Sequence, residues 1–100
     1  MIRHIVLFKV SDRSAEGSRA QVETLRGALE PLAASVPGVL SLTVAADPKT
    51  VDTHWDAALV TEHDSWEDLN AYQVHPEHRR AVAVVDSVAT DKAIVDYEVL

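Results

Sequence analysis

The chain has 100 residues, 47% of them apolar and 25% charged, which is the composition of one ordinary globular domain. Nine Lys and Arg against sixteen Asp and Glu give a formal charge of −7, and the densest basic cluster is Arg79-Arg80, so nucleic acid and anionic membranes are excluded as main partners. There is no cysteine, which removes disulfides, thiolate metal ligands and thiol nucleophiles from consideration.

Ile2 to Val10 is rich in Ile, Val and Phe and predicts a first strand, too short for a membrane span and lacking the cleavage site of a signal peptide. The absence of targeting signals fits a cytoplasmic location. His4, Val6, Phe8 and Val10 fall on one face and Ile5 and Leu7 on the other, so both faces call for cover. From about Ala15 to Ser35, apolar Val22, Leu25, Leu29, Leu32 and Val36 step by three and four, which predicts an amphipathic helix with Ser14 as its N-cap. Pro31 lies inside that pattern. It cannot donate to the Gly27 carbonyl, so the helix is expected to kink or break there. Pro37-Gly38 turns the chain into a second strand, Val39 to Ala46.

A loop bearing Pro48 leads to a third strand, Trp55 to Glu62, read with Trp55, Ala57, Leu59 and Thr61 on one face and Asp56, Ala58, Val60 and Glu62 on the other. Asp64-Ser65 opens a short helix through a capping-box pattern with Glu67 and Asp68. His75-Pro76 breaks it, and Pro76 suits the first turn of a further helix whose stripe is Ala81, Val82, Val85, Val88 and Ala89. Lys92 to Val99 is a fourth strand. No internal repeat, low-complexity tract or linker divides residues 1–100, so a single domain is expected.

The order β-α-β-β-α-β is the plan of a ferredoxin-like α+β fold with a four-stranded antiparallel sheet, in which the fourth strand lies beside the first. Helices can cover only one face of that sheet. The other would carry Ile5, Leu7, Ala58, Val60, Val95, Tyr97 and Val99, too apolar to leave wet, and a two-fold homodimer supplies a second sheet as its cover. The same antiparallel pairing sets His4 opposite Asp96 and Val6 opposite Ile94 on the helix-facing side. The plainer account of His4 and Asp96 is a structural buried pair.

Three segments resemble the stress-responsive A/B barrel (Dabb) family: Ile2 to Lys9, then Trp55 to Val60 followed by Leu69 to His78, and Val95 to Val99. The run Tyr72-Gln73-Val74-His75-Pro76-Glu77-His78, a Tyr-x-x-His-Pro-x-His pattern, is the most specific part. The resemblance implies a dimeric α/β barrel in which two sheets pack face to face. It also implies, through the family's plant polyketide cyclases, that Tyr72 and His78 are the catalytic pair of a cofactor-free cyclisation, with His4 and Asp96 lining the site. Two departures stand against transfer of the substrate. Many relatives end the third strand in Phe where this chain has His63, and Ala20, Glu23, Thr24 and Gly27 occupy a region of the first helix that is aromatic-rich in the cyclases.

His78 falls in the first turn of a helix, whose N-terminus disfavours imidazolium, so the ring should be a neutral base near pH 7. The Tyr72 hydroxyl could stabilise an enolate; the bland alternative is that Tyr72 and His78 satisfy each other or the backbone. Val6, Phe8, Leu59 and Ile94 are expected to line the pocket with His4 and Asp96. His75 reads as a structural residue at a helix break, His54 and His63 as solvent-exposed, and Trp55 and Trp66 as core or pocket wall. No cofactor is expected, and neither HExxH nor a Gly-rich phosphate loop is present; His63, His75 and His78 are a weak candidate metal set. The expectation is therefore a homodimer with a pocket for a small, largely apolar carbonyl-type ligand, open to cofactor-independent cyclase, lyase or isomerase chemistry. The alternative is a non-catalytic ligand-binding or stress-associated dimer.

Overall fold

The computed structural model describes residues 1–100. The elements are β1 (Ile2–Val10), α1 (Ala15–Leu29), α2 (Leu32–Ser35), β2 (Ser41–Ala46), β3 (Ala57–His63), α3 (Trp66–Val74), α4 (Pro76–Val88) and β4 (Ala89–Glu98). The strands form one four-stranded sheet in the order β2-β3-β1-β4 with every neighbouring pair antiparallel, the expected ferredoxin-like topology.

Local chemistry sets the helix ends. The Ser14 hydroxyl accepts from the Gly17 amide and Ser65 from the Asp68 amide, so both helices start on side-chain caps. The break expected at Pro31 is present. The Glu30 amide still bonds Arg26, α1 stops at Leu29, and a separate turn begins after Pro31. His75 is extended and its Nδ1 accepts from the Glu77 amide, so one histidine closes α3 and caps α4, whose first residue is Pro76.

The helices cover one face of the sheet. Ile2, His4, Val6, Phe8 and Val10 of β1 are buried against Val22, Leu25, Leu29, Leu69, Tyr72 and Val85. The opposite face is uncovered in the single chain. There Leu7 is 36% exposed, Tyr97 38% and Val95 61%, with Ile5, Ala58 and Val60 partly exposed between them.

β3 begins at Ala57, not at Trp55, which corrects the assignment of two residues. Asp56, expected on the open face, is 1% exposed, and Trp55 lies beside Leu7, Ala45 and Ala58 at the edge of that face, where the Lys9 ammonium sits 4.7 Å from its ring centroid. The alternation of a strand cannot be carried into the loop before it. Asp56 instead serves a bulge. The β1–β4 register shifts between Lys9 and Val10, and the Val10 amide donates to Asp56 Oδ2 at 2.9 Å. Arg13 Nε at 3.2 Å and the Lys49 ammonium complete the carboxylate's partners. Burial pushes the Asp56 carboxyl up, but Lys49, the Val10 amide and Arg13 outweigh it and hold the group below its ordinary value. Trp66, expected in the core or a pocket wall, is 52% exposed: it is the first residue of α3, on the turn that faces away from the sheet.

Candidate functional site

At the other end of the β1–β3 pair, side chains from β1, β3, α3, α4 and β4 converge. His4 pairs with Asp96 across β1–β4 and with Thr61 across β1–β3. His4 is 3% exposed, and its Nδ1 lies 2.5 Å from Asp96 Oδ1. A carboxylate only accepts, so the Nδ1–H donates and the ring is held in one orientation. The register expected from face parity is therefore the register of the sheet, and His4 and Asp96 are a bonded pair.

Tyr72 stands at the centre of the cluster. Its ring is 4.7 Å from that of His78, 5.2 Å from His63 and 6.3 Å from His4, centroid to centroid. The break at His75-Pro76 makes this contact geometrically available, because α4 turns back and returns His78 to the face of Tyr72. Tyr72 is fully buried, and its hydroxyl has no hydrogen-bond partner in the protein. Burial pushes the phenol up to about 12, so it is a proton donor and not a phenolate at physiological pH. Burial lowers His78 below the ordinary histidine value, against a hydrogen bond to the Gln73 backbone that raises it, and His4 and Lys92 lower it further. The shift favours a neutral ring, with desolvation as the main cause.

His63 corrects the sequence reading. Expected at the surface, it is fully buried, with Nδ1 2.8 Å from the Gly38 carbonyl and Nε2 2.9 Å from Thr61 Oγ1. The carbonyl fixes Nδ1 as the donor, so Nε2 of the neutral ring accepts a hydrogen bond from the Thr61 hydroxyl. Burial is the largest cause of its lowered pKa. β3 runs one residue beyond Glu62, and the alternation that buries Leu59 and Thr61 buries residue 63 as well. That parity, extended by one position, was the available signal. Gly38 is held at φ +82, where an L side chain is strained, and an added Cβ would stand 3.3 Å from Asp68. The carbonyl that orients His63 is therefore offered by a turn that favours glycine.

A cavity of about 90 Å³ opens beside this cluster. Val6, Phe8, Leu59, Ile94, Val82 and Val85 make its apolar walls, and His4, His78, Gln73 and Lys92 are its polar members. The expected lining residues His4, Val6, Phe8, Leu59 and Ile94 are gathered at one place with His78, expected as a catalytic residue. Tyr72 and Asp96 lie outside the lining, Tyr72 sealed behind the His78 ring and Asp96 engaged by His4. The cavity is open on the β4 side because the helices leave that edge strand uncovered, and Ile94, although on the helix-facing side, is 55% exposed. His54 is exposed and bonds Asp47, and no group of three or more His, Asp or Glu side chains is arranged to hold a metal ion.

Residues 2–99 match the stress responsive A/B barrel domain family. The chain belongs to the Dabb family. Two solved structures superpose over nearly all of it. A dimeric protein of unknown function with a ferredoxin-like fold from Bacteroides fragilis is 30% identical with a TM-score of 0.83, covering 98% of this chain and 95% of that one. A dimeric ferredoxin-like protein of unknown function from Thermobifida fusca is 33% identical with a TM-score of 0.82, covering 98% and 90%. The stress-response A/B barrel domain-containing protein DABB1 of Arabidopsis thaliana is 28% identical over 97% of this chain, which spans about half, 46%, of that relative's length. An antibiotic biosynthesis monooxygenase shares the fold at 15% identity and a TM-score of 0.73. No helix is long and apolar enough to cross a membrane.

Proposed function

We propose that this Dabb chain works as a two-fold homodimer joined through the open sheet face, and that each protomer binds a small, largely apolar carbonyl compound in the cleft between α4 and β4. In this reading His78 takes a proton from the carbon beside the carbonyl. Tyr72 donates its hydroxyl to the developing enolate oxygen, in cofactor-independent lyase or isomerase chemistry. The observation that carries it is the apolar cavity with a neutral, burial-lowered His78 in its wall. The Tyr72 hydroxyl, outside the lining behind His78, adds support if the His78 ring swings aside, because a buried donor without a partner is then satisfied by a ligand oxygen.

The dimer accounts for the uncovered face, and the two relatives at 30% and 33% identity are both described as dimeric. A charge placed in the middle of that face would be buried unpaired, so Leu7→Asp should yield monomer or unfolded chain where the unmodified protein sediments as a dimer. A folded monomer of the unmodified protein in the same measurement would refute the assembly.

A second reading rests on the sealing of Tyr72. With that ring fully buried behind His78, a ligand in the outer cleft touches the imidazole alone, and the dimer binds without turnover. A thermal-shift screen of small ketones and aldehydes finds ligands under either reading, since a compound that binds only the native state raises its melting temperature. Turnover of such a ligand falling roughly 10²–10⁴-fold in both His78→Ala and Tyr72→Phe supports the catalytic reading. Binding that depends on His78 and is indifferent to Tyr72, with no turnover, supports the second.

A further inference from the structure

The helix-facing row of β4 reads Lys92, Ile94, Asp96, set by the pairs Phe8–Lys92, Val6–Ile94 and His4–Asp96. Asp96 is taken by His4, and Ile94 is apolar, which leaves Lys92 as the charged member at the open end of the cleft. Carboxylates outnumber Lys and Arg by sixteen to nine in the chain, yet no carboxylate lines this cavity and Lys92 is its one permanent cation. The present partner of Lys92 is Asp86, at 2.8 Å, in a pair whose side chains are 37% and 55% exposed. Pairs this exposed add little stability, so Lys92 can exchange Asp86 for a ligand at small cost.

Resting on the cleft reading above, we propose that the ligand is a short-chain oxo acid, its carbonyl end inside against His78 and its carboxylate at the mouth on Lys92. The dimensions fit a molecule that is only partly enclosed. A volume of about 90 Å³ holds the space of roughly three waters, enough for a carbonyl head but not for a whole drug-sized ligand. The rest lies along exposed Ile94 toward Lys92, two residues away on the strand, a span of roughly 7 Å. Val82 and Val85 of α4 and Ile94 of β4 give the carbon chain its apolar walls. A neutral ketone would use the head and walls and leave the ammonium on Asp86. A dianion would meet one cation on a chain of net charge −7. One carboxylate matches what is there. Burial is the main cause that keeps His78 neutral, and the same ammonium adds to it in the same direction as His4.

The test uses histidine-labelled full-length protein and paired probes, 4-oxopentanoate and 5-oxohexanoate against their methyl esters, with the His78 ring signals followed by NMR. In the unmodified protein both members of a pair should move His78, and the acid should bind roughly three- to tenfold more tightly, a margin that shrinks with added salt. Lys92→Met keeps the length of the side chain and should erase the margin, acid and ester binding equally within that variant. Asp86→Asn removes the competing carboxylate and should widen it. Equal affinity of acid and ester with His78 signals moving, or a margin that survives Lys92→Met, overturns the oxo-acid assignment and leaves the cleft reading standing. No movement of His78 by any probe overturns the cleft reading and the assignment with it.

Discussion

Two buried polar groups sit at opposite ends of the β1–β3 pair, and they are treated oppositely. Asp56, at the Val10 end, is surrounded by the Val10 amide, Arg13 and Lys49, and it accepts from all of them. Tyr72, at the Ile2 end, is as deeply buried, and its hydroxyl has no partner among three neighbouring histidines. His63 is occupied by Gly38 and Thr61, and His4 by Asp96. A satisfied buried charge holds a loop and a bulge in place. An unsatisfied buried hydroxyl costs stability in the free protein and is worth keeping only if something else meets it.

The largest effect should come from the satisfied end. Asp56→Ala takes their shared partner from Arg13, 38% exposed, and Lys49, 16% exposed, and strips the Val10 amide of its acceptor. Removal of one partner of a fully buried ion pair costs about 3–5 kcal/mol; here the cations reach solvent, so the cost should lie toward or below the lower end. Denaturant titration should place this variant among the least stable single substitutions, with early loss of the Pro48 to His54 loop's protection from hydrogen exchange. A loss under about 1 kcal/mol would mean that water reaches the carboxylate and that the two ends are not the contrast described.

The middle effect concerns pH. His63 and His78 both have folded pKa values below the ordinary 6.5, chiefly because burial disfavours the charged ring. The unfolded chain then binds protons that the folded chain refuses. The stabilisation is complete above about pH 6.5 and is lost as pH falls from there toward the folded values. The carboxylates with lowered values lose theirs only further down, Glu62 below 4.5 and Asp56 below 3.8. Stability should therefore bend in two steps on acidification. His63→Phe keeps a ring against Tyr72 and removes one titrating group, so the upper bend should become shallower while the lower one stays. An unchanged upper bend would assign it to His78 or to histidines outside the cluster.

Much of this arrangement was legible before the fold was seen, for reasons that separate the two ends. His4 and Asp96 could be paired because parity fixes the face and antiparallel order fixes the partner. The breaks at Pro31 and Pro76 followed from a missing amide and a restricted preceding residue. Asp56 escapes the pattern because alternation holds only inside a strand, and Trp55 and Asp56 lie in the loop before β3. His63 escapes it because β3 runs one residue past Glu62. The state of the Tyr72 hydroxyl was beyond any pattern, since an absence of partners depends on where three different strands and two helices deliver their side chains.

The smallest effect has the sharpest sign. Tyr72→Phe removes one oxygen and leaves the ring packing against His63 and His78 unchanged. If the hydroxyl is an unmet donor, its loss relieves a desolvation penalty of roughly 1–3 kcal/mol, offset by the small void left behind, so the variant should be about 1 kcal/mol more stable than the unmodified protein. Most buried tyrosines behave the other way, because their hydroxyls are bonded and the phenylalanine variant loses that bond. The direction of the shift in melting temperature therefore separates a donor held for a ligand from an ordinary core tyrosine. An increase in the free protein, together with a smaller stabilisation by bound ligand, is the outcome expected of a binding group. A decrease would place a bridging water on the hydroxyl and make Tyr72 a core residue like Leu69 beside it on the same helix face.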